Sequence, residues 1–217
     1  MRANFKLVES QTEINRRIVK QIASALNSAV TSAVPIISSK IKDAVKTAIT
    51  SSREYGELLG GSLQAELGVP DSGSKLARIL DIWLGSMKIS KTPIRASSGR
   101  IVGGISIAMI REDYADVLGT SEASYTTLKG RKIPWLKWLL IAGDDTKLVA
   151  DYVFTDDVSR GNSRTGLGLM RSQRGGRWHV PREFAGTIKN NFVTRALSTL
   201  ENQVITIMQN EIEKRLK

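Results

Sequence analysis

The sequence contains no cysteine. That excludes disulfides, thiolate metal sites and cysteine nucleophiles, and it fits a reducing compartment. The single histidine, His179, cannot supply a multi-histidine metal site. No serine or carboxylate pattern around it marks a catalytic base, so its default role is a hydrogen-bonded loop residue. No uninterrupted apolar run approaches the ~18 residues of a membrane span. The opening MRANFKLVESQTEI has no apolar core of the signal-peptide kind. The expectation is a soluble protein, made and used without secretion. Gly103-Gly104 lacks the glycine-lysine-serine/threonine ending that grips phosphates. No repeat, low-complexity tract or linker is visible, and no helix-turn-helix, zinc-finger or RNA-recognition pattern.

What is present is a chain of 217 residues, enough for one sizeable domain and short for two. Hydrophobic residues make up 41% and charged residues 24%, as in ordinary globular proteins. The net charge of +11 favours anionic partners. Nucleic acid, a membrane surface and an acidic protein face all qualify, and charge alone does not choose among them.

The periodicities predict an α+β fold as one domain. Helices occupy about 10–87, a strand-rich part with a small, mostly antiparallel sheet about 88–175, and a long amphipathic helix about 184–216. Ser10 and Glu13 have capping-box spacing. Ile14, Ile18, Ile22, Ala25, Leu26, Ala29 and Ala33 then recur at helical intervals. Pro35 implies either one kinked helix or two with a tight joint. Gly56, Gly60 and Gly61 weaken helix after Tyr55. Residues 69–74 read as a turn into a helix striped by Leu76, Ile79, Leu80, Trp83, Leu84 and Met87.

From Lys88 to Ala96 the chain reads as an edge strand or extended arm, then a turn at Ser97-Ser98-Gly99, then a strand over 100–110. Residues 120–132 read as an exposed loop. Residues 133–141 read as a short helix started by Pro134 and stopped by Gly143. Strands over 146–154 and 166–172 suit a hairpin. The last helix, starting at Phe184 or Thr187, carries Ile188, Phe192, Ala196, Leu200 and Val204 on one stripe.

The adjacent pairs Asp144-Asp145 and Asp156-Asp157 sit at expected turns, where aspartate bonds nearby backbone amides, so they are read as turn formers and not as metal ligands. The stronger signal is basic. Arg160, Arg164, Arg171, Arg174, Arg177, Arg182 and Lys189 fall within one stretch whose only nearby acid is Glu183. Guanidinium forks on loops suit phosphate or carboxylate. The cluster therefore fits a DNA backbone, an acidic patch on a neighbouring subunit, or an ordinary solvated loop. Trp178 lies within it, and Trp135 and Trp138 share a helical face as candidate anchors for a core or a subunit interface. Lys40, Lys42 and Lys46 make one helix side basic. No catalytic group, metal ligand or cofactor-binding residue is assigned.

Two segments carry a family resemblance. Ser98-Gly99-Arg100-Ile101 followed by Ile105-Ser106-Ile107 resembles the small-Gly-Arg-apolar turn and strand of phage tail-completion proteins. Arg177-Trp178-His179-Val180-Pro181, Phe184 and then Phe192-Val193-Thr194-Arg195-Ala196-Leu197 resemble their late loop and terminal helix. The resemblance, over about half the chain, is to the neck and tail-completion proteins of tailed double-stranded-DNA bacteriophages. It implies a non-enzymatic structural protein of the virion neck, made in the host cytoplasm and forming a ring with copies of itself. Head-connector and tail proteins would be its neighbours, with passing contact to double-stranded DNA and none to membrane. Arg160, Arg164, Arg171, Arg174, Arg177, Trp178, Arg182, Trp135 and Trp138 are the expected partner contacts. The alternative is a non-specific nucleic-acid-binding protein acting through the basic loops and helix face.

Overall fold

The structure is a computed structural model that describes residues 10–108, 113–127, 130–143, 152–155, 169–172 and 179–217. The helical first part comprises α1 (Gln11–Thr50), α2 (Arg53–Gly60), α3 (Ser62–Leu67) and α4 (Ser72–Ser86). Then come β1 (Lys88–Ser97), β2 (Arg100–Ala108), α5 (Ala115–Leu118), β3 (Tyr125–Thr126), β4 (Lys132–Ile133) and α6 (Trp135–Leu140). The chain continues with β5 (Tyr152–Thr155), β6 (Leu169–Ser172), α7 (Phe192–Ser198) and α8 (Glu201–Glu213). The class is α+β. Among the described residues the strands form three separate two-stranded antiparallel pairs, β1-β2, β3-β4 and β5-β6.

Two compact units share these elements. One takes residues up to Ile41, Lys88–Ala108 and Gln203–Lys217; the other takes Lys42–Met87 and Met109–Asn202. Each is assembled from separated stretches of chain, which is why no linker marks them in the sequence.

In the first unit, the capping box at Ser10 forms. Ser10 Oγ accepts from the Glu13 amide at 3.3 Å, and the Glu13 carboxylate accepts from the Ser10 amide at 3.1 Å. Pro35 does not split the helix: α1 is one element of 40 residues, roughly 60 Å long. The hairpin β1-β2 lies on it. Asn27 Oδ1 accepts from the Ile94 amide at 3.0 Å, and Lys91 Nζ donates to Thr31 Oγ1 at 2.5 Å. The hairpin turns at Ser98 and Gly99, both left-handed, and its register slips by one residue between Thr92 and Arg95. That bulge faces Gly103, at φ +111°, where a Cβ would collide with the Pro93 carbonyl. Only glycine lets the strands approach there.

Counting uninterrupted apolar residues missed one property of α1. By length and averaged composition it is long and apolar enough to cross a membrane, although only 28% of that window is buried. Alanine, valine and leucine between the isoleucines raise its average, while serine and threonine break the apolar run.

The core of the second unit is Ile49, Leu58, Leu63, Leu76, Ile79, Trp83, Trp135, Leu136, Leu139 and Phe192, each almost wholly buried. Trp83 meets the edge of Phe192 with centroids 6.0 Å apart. Helix forms through Gly56 and Gly60 despite their low propensity, and the break falls at Gly61. There the Glu57 carboxylate accepts from the Ser62 amide and hydroxyl. The stretch 120–132 is not simply exposed. It holds β3 and, at Lys132, enters β4; Ala123 is buried and Tyr125 donates to the Leu67 carbonyl at 2.6 Å. The helix expected over 133–141 is shorter, with Ile133 in β4 and Pro134 at its N-cap. Within the strands expected over 146–154 and 166–172, β5 and β6 pair as a hairpin; 144–151 and 156–168 lie outside the described residues.

The largest departure concerns the closing helix. It does not begin at Phe184 or Thr187, and Ile188 is 53% exposed. Residues 185–187 instead run beside the end of α6. The Gly186 amide donates to Trp138 O at 3.1 Å, Gly186 O accepts from the Gly143 amide at 2.9 Å, and Ala142 bridges Thr187. These bonds use the backbone groups a helix would need. The helix starts at Phe192 and breaks again at Thr199-Leu200, where the Ser198 and Thr199 hydroxyls bond carbonyls three residues back.

A Cβ at Gly186 would overlap the Leu139 carbonyl, whereas Gly60 has open space. Gly186→Ala is expected to cost roughly 1–3 kcal/mol by overpacking, and Gly60→Ala to be neutral or slightly stabilising. Thermal unfolding of the two variants checks the contrast.

Candidate interaction site

The late segment singled out in the sequence is anchored residue by residue. Val180 and Phe184 are buried, and the Arg53 guanidinium lies 5.1 Å from the Phe184 ring centroid. Asn191 is fully buried and caps α7, its Oδ1 accepting from the Val193 and Thr194 amides at 3.1 and 3.0 Å. The Thr194 hydroxyl accepts from the Asn191 amide at 2.9 Å, completing a capping box. Asn191 Nδ2 donates to Leu140 O at 3.1 Å and Thr187 O at 2.9 Å. The Tyr114 hydroxyl, 3.1 Å from Oδ1, is left to donate to it. Burial pushes the Tyr114 hydroxyl pKa up, which keeps it a donor. Arg195 pairs with the buried Glu54 and also bonds Asn190 Oδ1 at 2.8 Å. Phe192 and Arg195, on which the family resemblance rests, thus hold the second unit together.

The expected contact residues fare unequally. Arg160, Arg164, Arg174, Arg177 and Trp178 lie outside the described residues. Arg171 sits in β6 opposite Val153. Arg182 is exposed, as is His179. Of the core and interface roles open to Trp135 and Trp138, burial to 0% and 6% exposure gives the core, which takes them out of the set of exposed partner contacts. The Trp135 indole donates to Glu122 O at 2.9 Å, so it fastens the 120–133 segment. The helix basic side is also partly used, since Lys40 is bound to a carboxylate.

That carboxylate is Glu211 in the first unit. It is buried and meets Lys40 at 2.8 Å, Lys214 at 3.1 Å and Arg215 at 3.0 Å. The bond from Lys40, followed by those from Lys214 and Arg215, lowers its pKa from 4.5 to about 2.

Three exposed features escaped the sequence reading. On α1, Ile18, Ile22 and Ile36 are 48%, 46% and 42% exposed. Ile36 lies about five full turns beyond Ile18, so the two project in the same direction. The buried residues Ala23, Val30, Ile37 and Ile41 fall on an adjoining side, so the apolar arc is wider than what covers it. On α8, Ile205, Met208, Gln209, Ile212 and Glu213 line a shallow open groove of about 330 Å³. On the hairpin, strand alternation separates half-buried Ile89, Lys91, Ile94, Ile105 and Ile107 from an exposed face bearing Lys88, Arg95 and Arg100. Ile18 and Ile22 lie on the stripe read from the sequence, which does not say whether the same chain covers it. The absence of acid between Asp81 and Glu112 was the signal for the third.

No family model matches the chain, nor does any curated protein or solved structure.

Replacing Asn191 by alanine removes a cap and strands Leu140 O, Thr187 O and the Tyr114 hydroxyl. The expected loss exceeds about 3 kcal/mol, combining ~1 for the cap with ~1–3 per buried orphan group. Tyr114→Phe should cost only about 1 kcal/mol, and urea unfolding compares them. Glu211 gives a pH dependence of definite sign. Its folded-state pKa is depressed, so its contribution is complete above 4.5 and is lost as pH falls toward about 2. Unfolding followed across that window should show a fall in stability that Glu211→Gln flattens.

Proposed function

We propose that this protein is a structural subunit that assembles with copies of itself, and that it serves in the neck or tail-completion layer of a tailed phage virion without catalysing a reaction. The observation that carries the reading is the exposure of three large apolar residues, Ile18, Ile22 and Ile36, on a helix of 40 residues. Apolar area in line on one element marks a surface that another chain covers. The α8 groove adds a second apolar surface in the same unit, so a copy can offer one patch and receive on another, as ring formation requires. The motif resemblance of the late segment and of the β1-β2 turn supports the virion setting.

A membrane is the competing cover for α1, by its length and composition. The bonds of Asn27 and Thr31 weigh against it. They hold Lys91 on the helix, and a span would carry that ammonium into hydrocarbon at high cost.

The purified protein is expected to form a discrete multimer whose mass survives high salt, because apolar contacts are not screened. Ile18→Ser/Ile22→Ser/Ile36→Ser should reduce it to monomer with an unchanged unfolding midpoint. Light scattering reads both. A wild-type monomer at every salt concentration, or a triple variant of unchanged mass, contradicts the reading.

A further inference from the structure

The outward face of the β1-β2 hairpin has a composition the assembly reading does not use. Along it run Lys88, Ser90, Thr92, Arg95, Ser97 and Arg100, all exposed. The hairpin contains no acidic residue, and among the described residues none of its three outward cations has an ion-pair or hydrogen-bond partner. The fourth cation, Lys91, is turned inward to Asn27 and Thr31. The fold therefore sorts the charges, committing one to structure and setting three in water.

We infer that this face binds the sugar-phosphate backbone of double-stranded DNA without reading its sequence. Four features select that partner. Lysine, arginine, serine and threonine are the side chains that contact phosphate oxygens, and here they make up most of the face, with Val102, Gly104 and Ala108 beside them. The ribbon is two strands wide and β1 is about 30 Å long, dimensions a major groove about 12 Å wide accepts. The face carries no aromatic side chain. That disfavours single strands, whose bases need a stacking platform. It also disfavours a protein partner, whose interface core is enriched in aromatics and depleted in lysine and serine. The bulge at Thr92–Arg95 increases the local twist of the ribbon and so helps it follow a helical groove.

The site lies wholly in the first unit and needs no second copy, so it stands or falls independently of self-association. The test is anisotropy of a short mixed-sequence duplex titrated with the full chain between about 50 and about 200 mM salt. Lys88→Ala/Arg95→Ala/Arg100→Ala is expected to weaken binding roughly a hundredfold at about 0.1 M salt and to lower the log–log salt slope by about 2.7. A control, Arg16→Ala/Lys20→Ala/Lys46→Ala, removes the same charge from α1 and should leave the slope nearly unchanged. The inference is overturned if the wild type does not bind the duplex, or if the hairpin variant keeps its slope. It is also overturned if the control loses as much as the hairpin variant. Polyglutamate or phosphatidylserine vesicles competing as well as duplex at equal charge would assign the face to another anion.

Discussion

Asn191 is the residue on which the second unit depends. One buried amide caps α7, fixes the Tyr114 hydroxyl, and holds the Leu140 carbonyl at the end of α6 and the Thr187 carbonyl of the turn before it. Each of those groups is polar and lies at or near the core, so each needs its partner. With the amide in place, Phe192 can enter the core against Trp83 and Arg195 can reach Glu54. The apolar core supplies the driving force; the amide fixes how the end of α6, the turn before α7 and the start of α7 meet.

The first unit is organised differently. Polar contacts at particular points fasten its elements together. Asn27 and Thr31 fasten the hairpin to α1, and Glu211 gathers Lys40, Lys214 and Arg215. Between those points α1 and α8 keep apolar residues in water, and three cations of the hairpin have no partner among the described residues. A surface of this kind costs solubility when a chain is alone, and it makes physical sense when neighbours cover it. The exposed isoleucines of α1 and the apolar groove of α8 in the first unit are the main physical support for an assembly role.

Local patterns were readable in the sequence where local physics decides. The Ser10–Glu13 box, the α4 stripe, the β1-β2 hairpin and the β5-β6 pairing all come from residues close in the chain. The late segment was misread because Ile188, Phe192 and Ala196 do recur at helical spacing. The contrary signal was present but weaker: Gly186, and Asn191 followed three residues later by Thr194, which is a capping pair. That Asn191 also binds Tyr114 and the end of α6 was not readable, since those partners lie 77 and 51 residues away. The same holds for Glu211 with Lys40, 171 residues apart. The tryptophans of α6 carried a real signal of burial, but the pattern does not say whether the covering surface belongs to the same chain.

The proposed assembly leaves α1 of the first unit to be covered by a second copy, while Val193 and Thr194 of the second unit are held within the chain by Asn191. Hydrogen exchange of the full chain at two protein concentrations separates the two most directly. Under that assembly, amides from Ile14 to Ile36 gain protection as concentration rises, whereas Val193 and Thr194, closed by Asn191, are strongly protected at both. Protection of α1 that does not respond to concentration, or exchange at Val193 and Thr194 as fast as at the hairpin tip, would contradict it.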